Sequence, residues 1–230
     1  MTSIAIITAR GGSKRIPKKN IRPFCGKPII AYSIKAALDS KLFDEVMVST
    51  DSEEIATVAK QYGASVPFMR SEKNSNDYAV TADVLEEVIT EYQKRSQHFN
   101  NYCCLYPTAP FITSVRLEHA FSRFLFQPNT QALVAVVKYS FPPQRSFIIR
   151  NNLLQYQYPE HEKTRSQDLE EIYHDCGQFY FGKVNDFMKF HTLIMPQTMP
   201  YILSEEEVQD IDTETDWEIA ELKYKVFNLK

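Results

Sequence analysis

At 230 residues, with 43% apolar, 13% aromatic and 24% charged residues and a formal net charge of −3, the chain has the composition of a globular protein with one sizeable core. That balance argues against a disordered chain, and its sign argues against nucleic acid as a partner. No apolar run approaches the roughly 20 residues that span a bilayer, and the N-terminal "MTSIAIITAR" is too short for a secretion signal, so the expected location is the cytoplasm.

In chain order, "IAIIT" (Ile4 to Thr8) reads as a strand buried on both faces. "KPIIAYSIKAALDS" places Ile29, Ile30, Ile34, Ala37 and Leu38 on one helical face, and "DEVMVSTD" follows as a strand ending at Asp51, completing a βαβ unit. The spacing then predicts a helix from Ser52 to Tyr62, a short strand from Ala64 to Arg70, a helix from Thr81 to Arg95 and a strand from Tyr102 to Tyr106. A helix from about Thr113 to Phe126 and a strand from Gln131 to Tyr139 follow. This alternation predicts a single α/β domain over 1–230, built on a doubly wound, mostly parallel sheet with ligands bound beyond the carboxyl ends of its strands.

Between Tyr139 and His174 the rhythm breaks. A Pro-Pro pair and a hairpin signal at Asn151 and Asn152 predict an antiparallel arm, 140–174, inserted into the domain and suited to packing on another subunit. The sheet resumes at "CGQFYFG", and "DIDTETDWEIAELKY" is an acidic loop running into an amphipathic helix. Cys25, Cys103, Cys104 and Cys176 lack metal or disulfide spacing and read as core thiols, with adjacent Cys103 and Cys104 on opposite faces of a strand. His98, His119, His161, His174 and His191 show no ligand spacing either.

Charge is unevenly distributed. Residues 1–38 hold Arg10, Lys14, Arg15, Lys18, Lys19, Arg22, Lys27 and Lys35 and no acid, whereas Ser204 to Glu221 holds nine acids and no Lys or Arg. Such ends either make two solvated faces or serve an anionic ligand with a metal. "ARGGSKRIPKKN" directly follows the first strand. Gly11 and Gly12 allow a turn whose backbone N–H groups converge as they do around phosphate, with Arg10 and Lys14 adding charge, although neither the P-loop nor the dinucleotide spacing is present. Asp210 and Asp212, two apart, face one side of an extended segment and suit Mg²⁺. Equally, Asp212 or Thr213 could be the N-cap of the last helix with Asp216 in its first turn. "LYPTAPF" (Leu105 to Phe111) sets two prolines on the rim of the sheet, as a ligand loop or as a plain turn.

"ARGGSKRIPKKN" resembles the signature of the CMP-sialic acid synthetase (acylneuraminate cytidylyltransferase) family, whose members activate nine-carbon 2-keto-3-deoxy acids. "VSTD", "LYPTAPF" and "DIDTETD" fall where that family's further motifs fall, over essentially the whole chain. Within the family, "TRSQDL" and "HDCGQFYFG" are most similar to the pseudaminic acid enzymes. Tyr106 stands where the sialic acid enzymes place Gln, and Cys176-Gly177 where they place Asn-Gly. The resemblance implies a Rossmann-like nucleotide-diphospho-sugar transferase fold and conversion of CTP and a nonulosonic acid to the CMP-sugar and pyrophosphate. It further implies Mg²⁺ on Asp210 and Asp212, a homodimer whose arm reaches the neighbouring site, and a product used in surface glycans. By motif position it assigns Arg10, Gly11, Ser13, Lys14 and Lys19 to the triphosphate and Asn20, Arg70 and Thr81 to the cytidine. It assigns Tyr106, Arg145, Arg165, Gln178 and Tyr180 to the sugar, with Lys14, Arg10 and Asp212 as the catalytic set. The other readings are a cytidylyltransferase for legionaminic, sialic or 3-deoxy-manno-octulosonic acid, a glycosyltransferase whose Asp-x-Asp pair holds a metal, and a non-catalytic nucleotide-binding module.

Overall fold

The protein was analysed as a computed structural model, which describes residues 1–227; the last three residues of the expected domain lie outside the described ones. The chain begins with β1 (Ser3–Thr8), a two-residue ribbon of β2 (Pro23–Phe24) and β3 (Lys27–Pro28), α1 (Ile30–Ser40), β4 (Glu45–Ser49) and α2 (Glu53–Gln61). It continues through α3 (Thr81–Lys94), β5 (Asn101–Leu105), α4 (Ser114–Phe126) and β6 (Ala132–Lys138). The hairpin β7 (Phe147–Arg150) and β8 (Leu153–Tyr156) follows, then β9 (Tyr173–Lys183), α5 (Val184–Phe190), β10 (Thr198–Leu203) and α6 (Glu214–Phe227).

Six strands form one sheet in the order β10-β6-β9-β5-β1-β4. β1 is parallel to both β4 and β5, and β6 is parallel to β10, while β9 runs antiparallel between β5 and β6. Because side chains alternate along a strand, Ala5, Ile7 and Cys103 enter a core under α1, α2 and α4, whereas Ile4, Ile6 and Cys104 enter a second core under α3 and α5. Helices therefore cover both faces, as a doubly wound sheet requires. Each fully buried Ile contributes roughly 1.5–3 kcal/mol. Residues 140–172 leave the sheet between β6 and β9; the expected arm ends two residues early, because Tyr173 and His174 already pair with Lys138 and Val137. The β7–β8 turn is Asn151-Asn152 with both φ positive, at 52° and 61°, the geometry of a two-residue hairpin turn.

Three further expectations are corrected. Ala64 to Arg70 forms no strand beyond a single bridge from Ser65 to Met47, because Pro67 has no N–H to carry a ladder onward. α5 and β10 arise where the sequence reading places no element; Pro200 in β10 is tolerated because that strand lies at the sheet edge. Leu38 is turned outward, 38% exposed, while Ile29, Ile30, Ile34 and Ala37 are buried.

A third, smaller core brings distant segments together. Ile16 of the basic loop, Phe24, Tyr32 of α1, Phe111 of the proline loop, Ile211 of the acidic segment and Trp217 of α6 share it. Phe24 meets Trp217 and Tyr32 edge-on at 5.5 and 5.6 Å. Elsewhere in the sheet, Gly182 of β9 lies opposite Tyr102, and an added Cβ would come within 2.5 Å of the Tyr102 ring. Gly182→Ala is accordingly expected to cost about 1–3 kcal/mol by overpacking. Chemical denaturation would read this as a lower midpoint, and an unchanged midpoint would refute it.

Candidate active site

The loop after β1 is tied down at several points. Ile16 is buried, and the buried Asn20 donates its amide to the Arg10 carbonyl at 2.8 Å. Gly11 donates its N–H to Asp51 Oδ1 at 2.7 Å, and a Cβ there would meet Ser52 Cβ at 3.1 Å. A side chain there would crowd the turn after β4, which glycine leaves clear. This differs from the expected phosphate-cradling turn: neither Gly11 nor Gly12 has positive φ, the Gly11 N–H is engaged by Asp51, and the left-handed residue of the loop is Lys18 at 52°. Lys18 pairs with Glu54 at 2.7 Å, outside the main cleft.

The cleft beside this loop encloses about 480 Å³. Arg10, Ser13, Lys14, Arg15, Lys19 and Asn20 form one wall. Arg70, Thr81 and Tyr106 contribute at its base, with Asn74, Asn76 and Asp77 across from the cations. The Arg70 guanidinium is buried and donates to the Ser49 hydroxyl at 3.0 Å and to the Ser49 carbonyl; burial pushes its pKa down to about 10. The Thr81 and Tyr106 hydroxyls lie 3.3 Å apart. Burial raises the Tyr106 pKa, so its phenol stays protonated near neutral pH and can donate. Asp77 accepts from Arg10 at 2.9 Å and pairs with Lys14.

The acidic segment closes onto the same wall. Ile211 is fully buried, which fixes Asp210 and Asp212 on either side of it. Arg15 pairs with Asp212 at 2.8 Å, and the Lys19 ammonium lies 2.6 Å from the Ile211 carbonyl and 3.4 Å from Asp212. Asp210 has its pKa raised by burial and then by the neighbouring Asp212. Its Oδ1 lies 3.9 Å from the place a Gly177 Cβ would take, next to the Tyr106 ring. The cap of α6 uses neither carboxylate: Thr213 accepts from the Asp216 N–H at 3.3 Å, and Asp216 accepts from the Thr213 and Asp212 N–H groups at 2.8 and 3.1 Å. The cap expected at Asp212 or Thr213 is thus made by Thr213 together with Asp216, and the Asp210 and Asp212 carboxylates take no part in it. Among the described residues no three His, Cys, Asp or Glu side chains gather around one point. A divalent ion there would take two carboxylates from this chain and its remaining oxygens from substrate and water, which suits Mg²⁺.

The remaining sugar-side candidates are placed less directly. Gln178 and Tyr180 are buried at 2% and 1% exposure, behind the cleft wall. Tyr180 packs its ring 5.4 Å from Tyr106 and donates to the Asp175 carboxylate at 2.7 Å, and Gln178 donates to the Glu207 carbonyl at 2.7 Å. They can act on a ligand through Tyr106, whose N–H donates to the Gln178 carbonyl at 3.0 Å. A β-bulge makes this possible: between Val134 and Val136 of β6, the β9 register jumps from Tyr180 to Asp175, and Gly177 adopts φ +62°. Arg145 donates to the Thr164 carbonyl at 3.4 Å, and the exposed Arg165 pairs with Asp168 at 2.7 Å; both stay within 140–174 and outside the cleft.

Sequence reasoning missed three residues. Asp77 stands in "SEKNSNDYAV", a segment with no periodicity to mark it. Asp175 precedes a motif read for its glycine. Arg15 is one cation among eight in residues 1–38, yet with Lys19 it links the basic loop directly to Asp212.

A family described as Cytidylyltransferase matches residues 4–206. Pseudaminic acid cytidylyltransferase of Campylobacter jejuni subsp. jejuni serotype O:2 is 44% identical over 227 residues, covering 98% of this chain and 97% of that protein. CMP-N,N'-diacetyllegionaminic acid synthase of Legionella pneumophila subsp. pneumophila is 37% identical, covering 96% and 95%. Among solved structures, CMP:2-keto-3-deoxy-manno-octonic acid synthetase complexed with CTP superposes with a TM-score of 0.70 at 17% identity, covering 96% of this chain and 98% of that one; this likeness bears on the fold.

Proposed function

The chain belongs to the cytidylyltransferase family, and we propose that it converts CTP and pseudaminic acid to the CMP-sugar and pyrophosphate. The observation that carries the substrate is the 44% identity, over nearly the full length of both chains, to a pseudaminic acid cytidylyltransferase. The cleft is compatible with it, since at the carboxyl end of β1 a wall of cations reaches Asp212 of the acidic segment through Arg15 and Lys19.

In this reading the anomeric hydroxyl of the acid attacks the α-phosphorus. A new O–P bond forms, the bond to the β-phosphate oxygen breaks and the hydroxyl proton is lost to solvent. Little covalent chemistry falls to the protein, so positioning and charge neutralisation do the work. Arg10, Ser13 and Lys19 would hold the triphosphate, with Lys14 stabilising charge on the departing pyrophosphate. Gly11 would serve by letting that loop approach Ser52. Asn20, Arg70 and Thr81 would border the cytidine. Asp210 and Asp212 would hold Mg²⁺, which when bound neutralises phosphate charge. Tyr106 would donate to the sugar, with Gln178 and Tyr180 holding it from behind. Arg145 and Arg165 would meet the acid's carboxylate from a partner subunit, pairing as guanidinium groups do with carboxylates. Support for a homodimer comes from the hairpin's exposed apolar residues, including Ile149 at 74%, Leu153 at 65% and Leu154 at 64%.

The test is pyrophosphate release with Mg²⁺, each of four nucleoside triphosphates and a panel of pseudaminic, legionaminic, sialic and 3-deoxy-manno-octulosonic acids. Turnover confined to CTP and fastest with pseudaminic acid is expected. A faster second acid would reassign the substrate, and no turnover with any acid would overturn the activity.

A further inference from the structure

Asp77 is the one acid among the described residues lining the cleft, which it shares with Arg10, Lys14, Arg15, Lys19 and Arg70. Its two carboxylate oxygens divide between the Arg10 guanidinium, at 2.9 Å, and the Lys14 ammonium. Arg10 also lies 3.3 Å from the Asn76 carbonyl. Lys14 first, and Arg10 after it, hold the Asp77 carboxyl below its ordinary pKa, so it carries its charge at neutral pH.

The turn that presents this carboxylate is built in advance. Asn76 Oδ1 accepts from the Tyr78 and Ala79 N–H groups at 2.8 and 3.0 Å, and its amide donates to the Lys73 carbonyl at 2.7 Å. The base of the segment is fastened to α3, where Glu87 accepts from the Ser71 N–H and hydroxyl at 2.7 and 2.6 Å. An anion is thus held against the two cations assigned above to the transferred and leaving phosphates.

We infer that Asp77 is an internal competitor of the triphosphate, taking on Arg10 and Lys14 the place of a phosphate oxygen and so weakening the hold on pyrophosphate as product. The inference rests on the nucleotide reading above. A cation already neutralised by a carboxylate attracts a phosphate less, and the donors spent on Asp77 must be released or shared. CTP has contacts through its base and ribose to offset this loss. Pyrophosphate has only the cations, so the same loss leaves it the more weakly held of the two. The competition is mild, because Lys14 and Asp77 are 77% and 44% exposed and exposed ion pairs are individually weak. It is strong enough to bias release and weak enough for CTP to displace it.

Calorimetric titration of the full chain with pyrophosphate and with CTP, in Mg²⁺ at about 0.05 and 0.5 M salt, tests this. Asp77→Asn is expected to bind pyrophosphate about 3- to 10-fold more tightly than the unaltered chain at low salt, with CTP tightened by a similar factor. Asp77→Glu, which keeps the anion, should stay near the unaltered chain, and the gap should narrow at high salt as screening weakens the Asp77 pairs. Pyrophosphate bound equally or more weakly by Asp77→Asn overturns the competitor. If the unaltered chain itself fails to bind CTP, the nucleotide reading falls instead.

Discussion

Asp212→Ala is expected to slow pyrophosphate release by about 10²-fold or more, since a metal and its carboxylates supply several kcal/mol of charge stabilisation and 1.36 kcal/mol is tenfold in rate. The substitution removes one of two hard donors and also unseats Arg15, paired at 2.8 Å, and Lys19 at 3.4 Å. The cap on α6 does not depend on the Asp212 side chain, because Thr213 and Asp216 make it. The Arg15 pair is exposed, at 66% and 40%, so its loss costs at most about 1 kcal/mol, or roughly 2–4 °C in the melting midpoint. A large loss of rate with a nearly constant midpoint therefore separates a role in the reaction from one in folding. Asp212→Ala turning over at the normal rate would remove the carboxylate pair from the mechanism.

Phe181→Ala is expected to be the reverse case, with a large effect on stability. Phe181 is fully buried in β9 between β5 and β6, and the rings of Phe43, Phe121, Phe124 and Phe179 surround it at 5.4–6.3 Å. Four aromatic neighbours cannot collapse into the space it leaves, so the cost is about 3–5 kcal/mol. That is a large part of a domain's total stability of roughly 5–15 kcal/mol. Differential scanning calorimetry should show a midpoint lower by about 6–20 °C. The same strand carries Gly177 and Asp175, so turnover should fall as the protein unfolds and recover on cooling. A midpoint shift under about 3 °C would show that the ring cluster repacks around the loss.

The elements that can be read from local patterns are those whose reasons are local. "IAIIT" is apolar without interruption because β1 has neighbours on both edges and helices over both faces. The two asparagines of the hairpin turn tolerate positive φ, so the turn type is written in two residues. Ser52 and Thr113 each cap a helix at the expected place, accepting from the N–H groups of Ile55 and Arg116. The strand expected at Ala64 to Arg70 failed because pairing is a property of two segments, and the segment's own pattern could not show that Pro67 would end it after one bridge. β10 was missed for the converse reason, since Pro200 argues against a strand until the edge position is known.

For the site, the sequence by itself determined the chemistry available: a cationic glycine loop after the first strand, and two carboxylates flanking an isoleucine far along the chain. Residue type and spacing carry that information. Only the tertiary structure decided which charges meet. Lys14 and Asp77, 63 residues apart, are paired because the segment before α3 folds back over the end of β1; Lys19 reaches Asp212, 193 residues away, because Ile16 and Ile211 are buried in one small core. It also decided that Tyr180 and Gln178 stand behind the cleft wall, because a bulge in β9 turns Gly177 toward Tyr106 and leaves the larger side chains inside. Coulombic attraction falls off with distance in space and is indifferent to distance along the chain, so these pairings had to wait for the fold.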